Sequence, residues 1–288
     1  MDADPFSTDS VPPALAVYAA ILFFAGLGAL VSFLIWNFTR RDKPFPGVSV
    51  WHIRLPDFLT FIFALLLCVI AVGLFLHAFT PRGEDGERTD PSAGMAILSG
   101  FLMQGGFLAV FIVFRAQFSD WRERPLSLEP KPLLTAGQLG IFALLAAWPV
   151  VTLFSAAWLF LISWLRGLGL DIELAPQAPV EMFQEAENVL HIVGLSILAV
   201  VMAPVAEEYV FRAGIFRYLR GHMALPAAAV LNGLLFGLIH FNIQSFLPLA
   251  VLGALLCLSY EWTGDIKVPI FFHAAFNLNS VVMIYMQT

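Results

Sequence analysis

The sequence predicts an all-α fold, a polytopic membrane bundle of about eight transmembrane helices, and three observations carry that expectation. The chain of 288 residues is 59% hydrophobic and only 12% charged, where soluble domains carry about 25% charged residues. Its apolar residues come in eight runs, most of them near the roughly 20 residues that cross a hydrocarbon core. The linkers between those runs alternate in basic charge, as the two faces of a membrane protein do.

In chain order the runs are 14–36, 57–79, 93–114, 136–164, 189–206, 225–241 and 246–260, with an eighth at 268–286 that carries one histidine and two asparagines. The run 136–164 is long for one span, and Pro149 in its middle predicts a kink or a helix–break–helix pair. Cys68 and Cys257 each sit in an apolar run, with neither the number nor the spacing of a disulfide framework or a cysteine metal site. The opening MDADPFSTDS lacks the basic start of a signal peptide, so the first run is expected to remain in the mature chain.

One set of linkers carries Arg40, Arg41, Lys43 and Arg54, then Arg115, Arg122, Arg124 and Lys131, then Arg212, Arg217 and Arg220, then Lys267. The alternate set has only Arg82, Arg88 and Arg166, together with the acidic stretches. Basic linkers stay inside, which predicts both termini extracytoplasmic, and a compact chain with short loops and no obvious targeting signal is expected in a bacterial plasma membrane. The organisation expected is residues 1–165 as four accessory N-terminal helices, 166–188 as an extracytoplasmic, partly helical loop or lid, and 189–288 as a C-terminal catalytic bundle. No basic stripe is present to bind phosphates, which sets nucleic acid aside as a partner.

Ionisable residues at membrane depth are costly and tend to face a bundle interior or a watery cavity. The first four runs contain almost none, with His77 and Gln104 the main polar exceptions. The last four hold Glu207, Glu208, Arg212, Asn232, His240, His273 and Asn277, so any chemistry is expected there. Four-residue spacing puts Asn232, Phe236 and His240 on one stripe, and His273 with Asn277 on another. Glu208 and Arg212 form an i,i+4 pair with the acid first. Glu207 lies about 100° around the same helix, so the two acids are expected to differ in role. Pro204 just before them cannot donate to Val200 and is expected to bend the helix. His191 and His222 read as packing residues.

EEYVFR, FGLIH and HAAFN, in that order and in separate apolar runs, follow the patterns EExxxR, FxxxH and HxxxN. Over residues 189–288 the chain thereby resembles the CAAX-protease and bacteriocin-processing (Abi) family of intramembrane proteases. The resemblance implies a site of Glu207, His240, His273 and Asn277 around a water, with Glu208 and Arg212 beside them. It implies an endopeptidase acting on a membrane-embedded or lipid-anchored peptide within the bilayer. Such hydrolysis needs an activated water, a proton carrier and a donor for the oxyanion. Glu207 suits the base and Asn277 the donor, with Asn232 and Phe236 expected against the substrate. Glu207, His240 and His273 could also hold a zinc ion, but no HExxH helix is present, and a metal-free glutamate mechanism is slightly preferred. A non-proteolytic scaffold or immunity protein of the same fold, or a proton-coupled transporter, are the competing functions.

Helix arithmetic sets one condition on that site. If the fifth helix runs on past its apolar stretch to about Leu219, a rise of about 1.5 Å per residue puts Glu207 roughly 18 Å from its cytoplasmic end, His273 only about 10 Å in and His240 about 24 Å in. These groups can meet only if the helices are offset, tilted or broken.

Overall fold

A computed structural model describes residues 12–40, 45–81, 89, 91–186 and 188–287, and Ser119 and Asp120 by backbone alone. Most of the described residues are helical, with no strand among them, as expected of a polytopic bundle. The first five helices are α1 (Pro13–Thr39), α2 (Leu55–Phe79), α3 (Ala93–Gln117), the short α4 (Ser119–Glu123) and α5 (Leu133–Gly167). Next come α6 (Ala178–Gln184), then a continuous rod of α7 (Val189–Ile197), α8 (Ala203–Val210) and α9 (Arg217–Arg220). The chain ends with α10 (Leu225–Leu238), α11 (Ile243–Thr263) and α12 (Lys267–Gln287). Seven of these are long and apolar enough to cross a membrane, and the outward residues of α1 and α2, such as Phe24 and Leu74, suit lipid contact.

Three features depart from the sequence expectation. Pro149 lies inside one unbroken 35-residue helix, so 136–164 is not a helix–break–helix pair. The fifth span does not stop near residue 206 but continues to Arg220 as a rod of 32 residues, placing Arg212 and Arg217 inside the span, not in a linker. The run 225–241 yields a helix of only 14 residues, about 21 Å long and too short to span by itself. Phe241 explains that early end: its φ of 48° is a left-handed conformation seldom taken by a bulky residue, and it turns the chain into α11.

Two wide π turns interrupt the rod, at Leu198–Met202 and Phe211–Phe216, one on each side of the Glu207–Glu208 pair. In such a turn each N–H reaches back five residues, which leaves backbone groups without their usual partners. Small residues set the packing around the rod. A Cβ on Gly233 would overlap the Ala250 carbonyl and come within 2.8 Å of the Ala254 nitrogen, so α10 and α11 touch backbone to backbone. α5 packs on α1, α11 and α12, and α3 on α8, so the first four spans pack against the C-terminal bundle of three spans and α10.

At the end of the bundle that carries the basic linkers, the segment after α3 is latched to the start of α12. Asp265 accepts from the backbone N–H groups of Lys131 (2.7 Å) and Lys267 (3.0 Å) and from the Ser127 hydroxyl (2.8 Å). Burial pushes its carboxyl up, but these hydrogen bonds and the Lys267 ammonium outweigh it and hold it below the usual carboxylate range.

Candidate active site

A cavity of about 590 Å³ opens among α2, α3, α6, α8, α10 and α12. That volume falls in the range of small-molecule and peptide sites. One wall carries Glu207, His240, His273, Asn277 and Phe236, and the facing wall is apolar, built from residues such as Val69, Val72 and Leu76 of α2. The segment expected to act as a loop or lid supplies α6, whose Val180, Met182 and Phe183 line the same cavity. Phe183 is buried against Leu195 and Ile284, and Asn242 donates to the Ala175 carbonyl at 2.8 Å, tying this segment to the start of α11.

The two glutamates occupy different surroundings. Glu208 is fully buried, and its Oε1 lies 2.9 Å from Arg212 Nη1 and 2.8 Å from His273 Nδ1. Arg212, also fully buried, donates to the Gly253 carbonyl at 3.1 Å and lies 4.6 Å over the Phe236 ring. Glu207 instead borders the cavity. Its Oε1 accepts from the Gln104 side-chain amide at 3.0 Å, and its Oε2 stands 3.9 Å from His273 Nε2.

His273 therefore bridges the two acids with opposite edges of its ring. A carboxylate can only accept, so the Glu208 contact assigns the proton to Nδ1 and leaves Nε2 with its lone pair toward Glu207. His240 follows the same logic. Its Nδ1 faces the Phe236 carbonyl at 2.7 Å, which makes Nδ1 the donor and Nε2 the free nitrogen. The turn at Phe241 follows immediately, so His240 sits beyond the last turn of α10, not on its regular stripe.

The asparagines are both engaged with the wide turns. Asn277 donates to the Ala199 carbonyl at 2.8 Å. In an i→i+5 turn that carbonyl would serve residue 204, which is a proline and has no N–H. Asn277 thus replaces the missing donor, and keeps a second amide hydrogen at the cavity wall. Asn232 is fully buried, donating to the Phe211 carbonyl at 3.0 Å and accepting from Cys257 Sγ at 3.1 Å. It does not line the cavity; only Phe236 of the two residues expected against substrate does so, edge-on to both His240 and His273.

The offset required by helix arithmetic is present. Glu208 lies twelve residues before Arg220, about 18 Å, whereas His273 lies six residues into α12, about 9 Å, yet their side chains touch. The rod must overhang the start of α12 by about 9 Å. The overhang is clasped by the N-terminal half: the Trp51 backbone N–H donates to the Arg217 carbonyl at 3.1 Å, Arg217 Nε donates to the Ser49 carbonyl, and Phe58 stacks on Tyr218 at 3.7 Å.

The donor set expected for a metal does not converge. Among the described residues no three His, Cys, Asp or Glu side chains are grouped as a metal ion requires. Each histidine donates from Nδ1 to a protein acceptor and keeps Nε2 free, the tautomer a metal ligand needs, but Glu207, His240 and His273 are not grouped closely enough to hold one ion, and no step is derived through one.

Two buried acids, an arginine, two histidines and an asparagine are thus gathered at one cavity of a polytopic helical bundle. Residues 189–279 match the family model of the type II CAAX prenyl endopeptidase Rce1-like proteins. A Bacillus subtilis (strain 168) protein named "Putative membrane peptidase YdiL" is 26% identical over 159 residues, 54% of this chain and 62% of the Bacillus protein's length. No solved structure is significantly similar to the chain. The matched C-terminal segment is thus similar to type II CAAX prenyl endopeptidase-like proteins, and the chain covers less than two thirds of the length of the Bacillus relative.

Proposed function

We propose that the protein is an intramembrane endopeptidase that hydrolyses a peptide bond in a membrane-embedded or lipid-anchored substrate, with Glu207 as the general base. The observation that carries this reading is the 3.9 Å gap between Glu207 Oε2 and His273 Nε2 at the cavity wall. The gap is too long for a direct hydrogen bond and suits a shared water. A water about 2.8 Å from each acceptor subtends about 90° at its oxygen, close enough to its own H–O–H angle to donate to both. Its lone pairs then face the cavity.

In the reaction this water's oxygen bonds to the scissile carbonyl carbon while its proton passes to Glu207. The second amide hydrogen of Asn277 is the donor available to the developing oxyanion. As the C–N bond breaks, the leaving nitrogen takes the proton held by Glu207, directly or by way of His240 Nε2. Glu208 and Arg212 do not touch the water in this scheme; they fix the tautomer and orientation of His273. The apolar wall of the cavity suits a hydrophobic stretch of substrate, and the family description makes a prenylated peptide one candidate.

The test is quantitative mass spectrometry of membrane peptides from cells expressing the wild type or Glu207→Gln. Peptides released only by the wild type identify the substrate, and the rate on it should fall about 100-fold or more in the variant. A Glu207→Gln protein that releases the same peptides at the same rate would remove Glu207 from the chemistry. Prolonged chelation should leave the rate unchanged; loss on chelation with recovery on zinc alone would put a metal into the step.

A further inference from the structure

We infer that Gln104, from the N-terminal half of the chain, is a positioning residue for Glu207, holding its carboxylate in the orientation that presents Oε2 to the water. This rests on Glu207 being the base. Gln104 lies on α3, 103 residues from Glu207 in sequence, and its Nε2 donates to Glu207 Oε1 at 3.0 Å. The carboxylate only accepts, so the amide nitrogen must face it, and the amide orientation follows from the bond. With Oε1 tethered, Oε2 is the oxygen left toward His273 Nε2.

The backbone around Gln104 is built for that reach. Ile97, Gly100 and Gln104 share a face of α3, at spacings of three and four. A Cβ on Gly100 would overlap the Leu198 side chain of the first wide turn, and one on Gly194 would meet Ile97 at 3.3 Å. The small residues bring α3 close to the rod one turn before the amide, so a glutamine can span to Glu207.

The chemistry of the donor is as informative as its place. Glu208 is held by a guanidinium, a full positive charge, and Glu207 by a neutral amide. An amide orients a carboxylate while weakening it as a base far less than a buried cation does. A lysine or arginine at 104 would fix Glu207 equally well and reduce its power to take a proton. The first four helices on this reading supply part of the reaction's geometry.

Two measurements test the inference. The first is kinetic, on the substrate peptide identified above. Gln104→Leu removes the donor and Gln104→Asn shortens its reach by one methylene. Each should lower kcat about 10- to 100-fold and leave KM within about twofold, the pattern of a misoriented group. In a Glu207→Gln background Gln104→Leu should lower the residual rate no further, since its partner is already disabled. An equal loss in both backgrounds, or a loss in KM alone, overturns the inference in favour of packing.

The second measurement needs no substrate. The carboxylate stretch of Glu207 is isolated as the infrared difference between wild type and Glu207→Gln, and Gln104→Leu should shift that band. An unmoved band means that the hydrogen bond is absent and the inference is wrong. If the band moves but Glu207→Gln keeps full activity, the contact stands and the proposed base does not.

Discussion

Replacing Arg212 by methionine should cost stability by leaving a carboxylate buried without its cation, and the size of the loss can be worked out from the contacts. Glu208 is fully buried, with Arg212 Nη1 2.9 Å from its Oε1. Breaking a buried pair from one side costs about 3–5 kcal/mol. The lost hydrogen bond to Gly253 adds about 1 kcal/mol, and the guanidinium's contact with Phe236 about as much again. Arg212→Met should therefore destabilise by about 5–7 kcal/mol. Glu208→Gln leaves the arginine buried with only a carbonyl to face and should cost about 3 kcal/mol. In the double variant no charge remains buried, so its loss should fall well short of the sum, with a coupling of about 2–3 kcal/mol. Reversible unfolding in mixed detergent micelles gives all three values. Single losses that add to the double within about 0.5 kcal/mol would refute the view that Glu208 and Arg212 are one unit. Catalysis supplies a second signature. His273 Nδ1 also rests on Glu208, so a carboxylate that shifts on losing its arginine turns the imidazole ring away from the water. Arg212→Met should lose activity even where the protein remains folded.

Three further outcomes are expected. Gly233→Ala should destabilise by about 1–3 kcal/mol, because its Cβ meets backbone atoms of Ala250 and Ala254 that cannot rotate away, and the displaced α10 should also lower the rate through Phe236 and His240; wild-type stability would refute this. Asp265→Asn should destabilise at neutral pH, and since the folded carboxyl lies below its unfolded value, the difference should stay constant above about pH 4 and shrink below it. A difference that grew on acidification would reverse the sign of the argument. For topology, Glu129→Cys should react with impermeant thiol reagents only from the cytoplasmic face and Asp171→Cys only from the other; the opposite result would invert the orientation expected from the basic linkers.

Hydrophobic run length was enough to read the helices, because a spanning helix must satisfy its backbone within itself and cannot hide its composition. Run length could not foresee where α10 stops. Ile239, His240 and Phe241 are apolar enough to extend the run, and only the backbone at Phe241 ends it. The family resemblance gathered Glu207, His240, His273 and Asn277 into one expected site, and all four line one cavity, whereas four-residue spacing by itself paired only residues of the same helix, such as His273 and Asn277. Spacing within one helix carries no information on partners from another. The Glu208–Arg212 pair was legible for that reason, while the Glu208–His273 contact was not. Gln104 stood out in sequence only as a polar residue in an apolar span; its partner is on another helix, and no period connects them. Asn232 shares a stripe with His240 in sequence but is buried behind the cavity wall, because α10 ends before the stripe can continue.

The wide turns left one sequence trace, Pro204, and that trace shows what the asparagines must do first. A buried carbonyl without a partner costs about 1–3 kcal/mol, and water is scarce at membrane depth. Ala199 is deprived of its donor by the proline, and Phe211 lies at the head of the second turn. Asn277 and Asn232 meet these two carbonyls at 2.8 and 3.0 Å, one on each side of the glutamates. A regular helix through this region would need neither side chain for its backbone. Their amides therefore hold open an irregular segment whose short regular stretch, α8, carries Glu207 and Glu208 about 100° apart. One acid is thereby turned to the cavity and the other to the arginine. Catalysis by Asn277 can draw only on the hydrogen that the backbone leaves unused, so any substitution there disturbs the turn before it reaches the oxyanion.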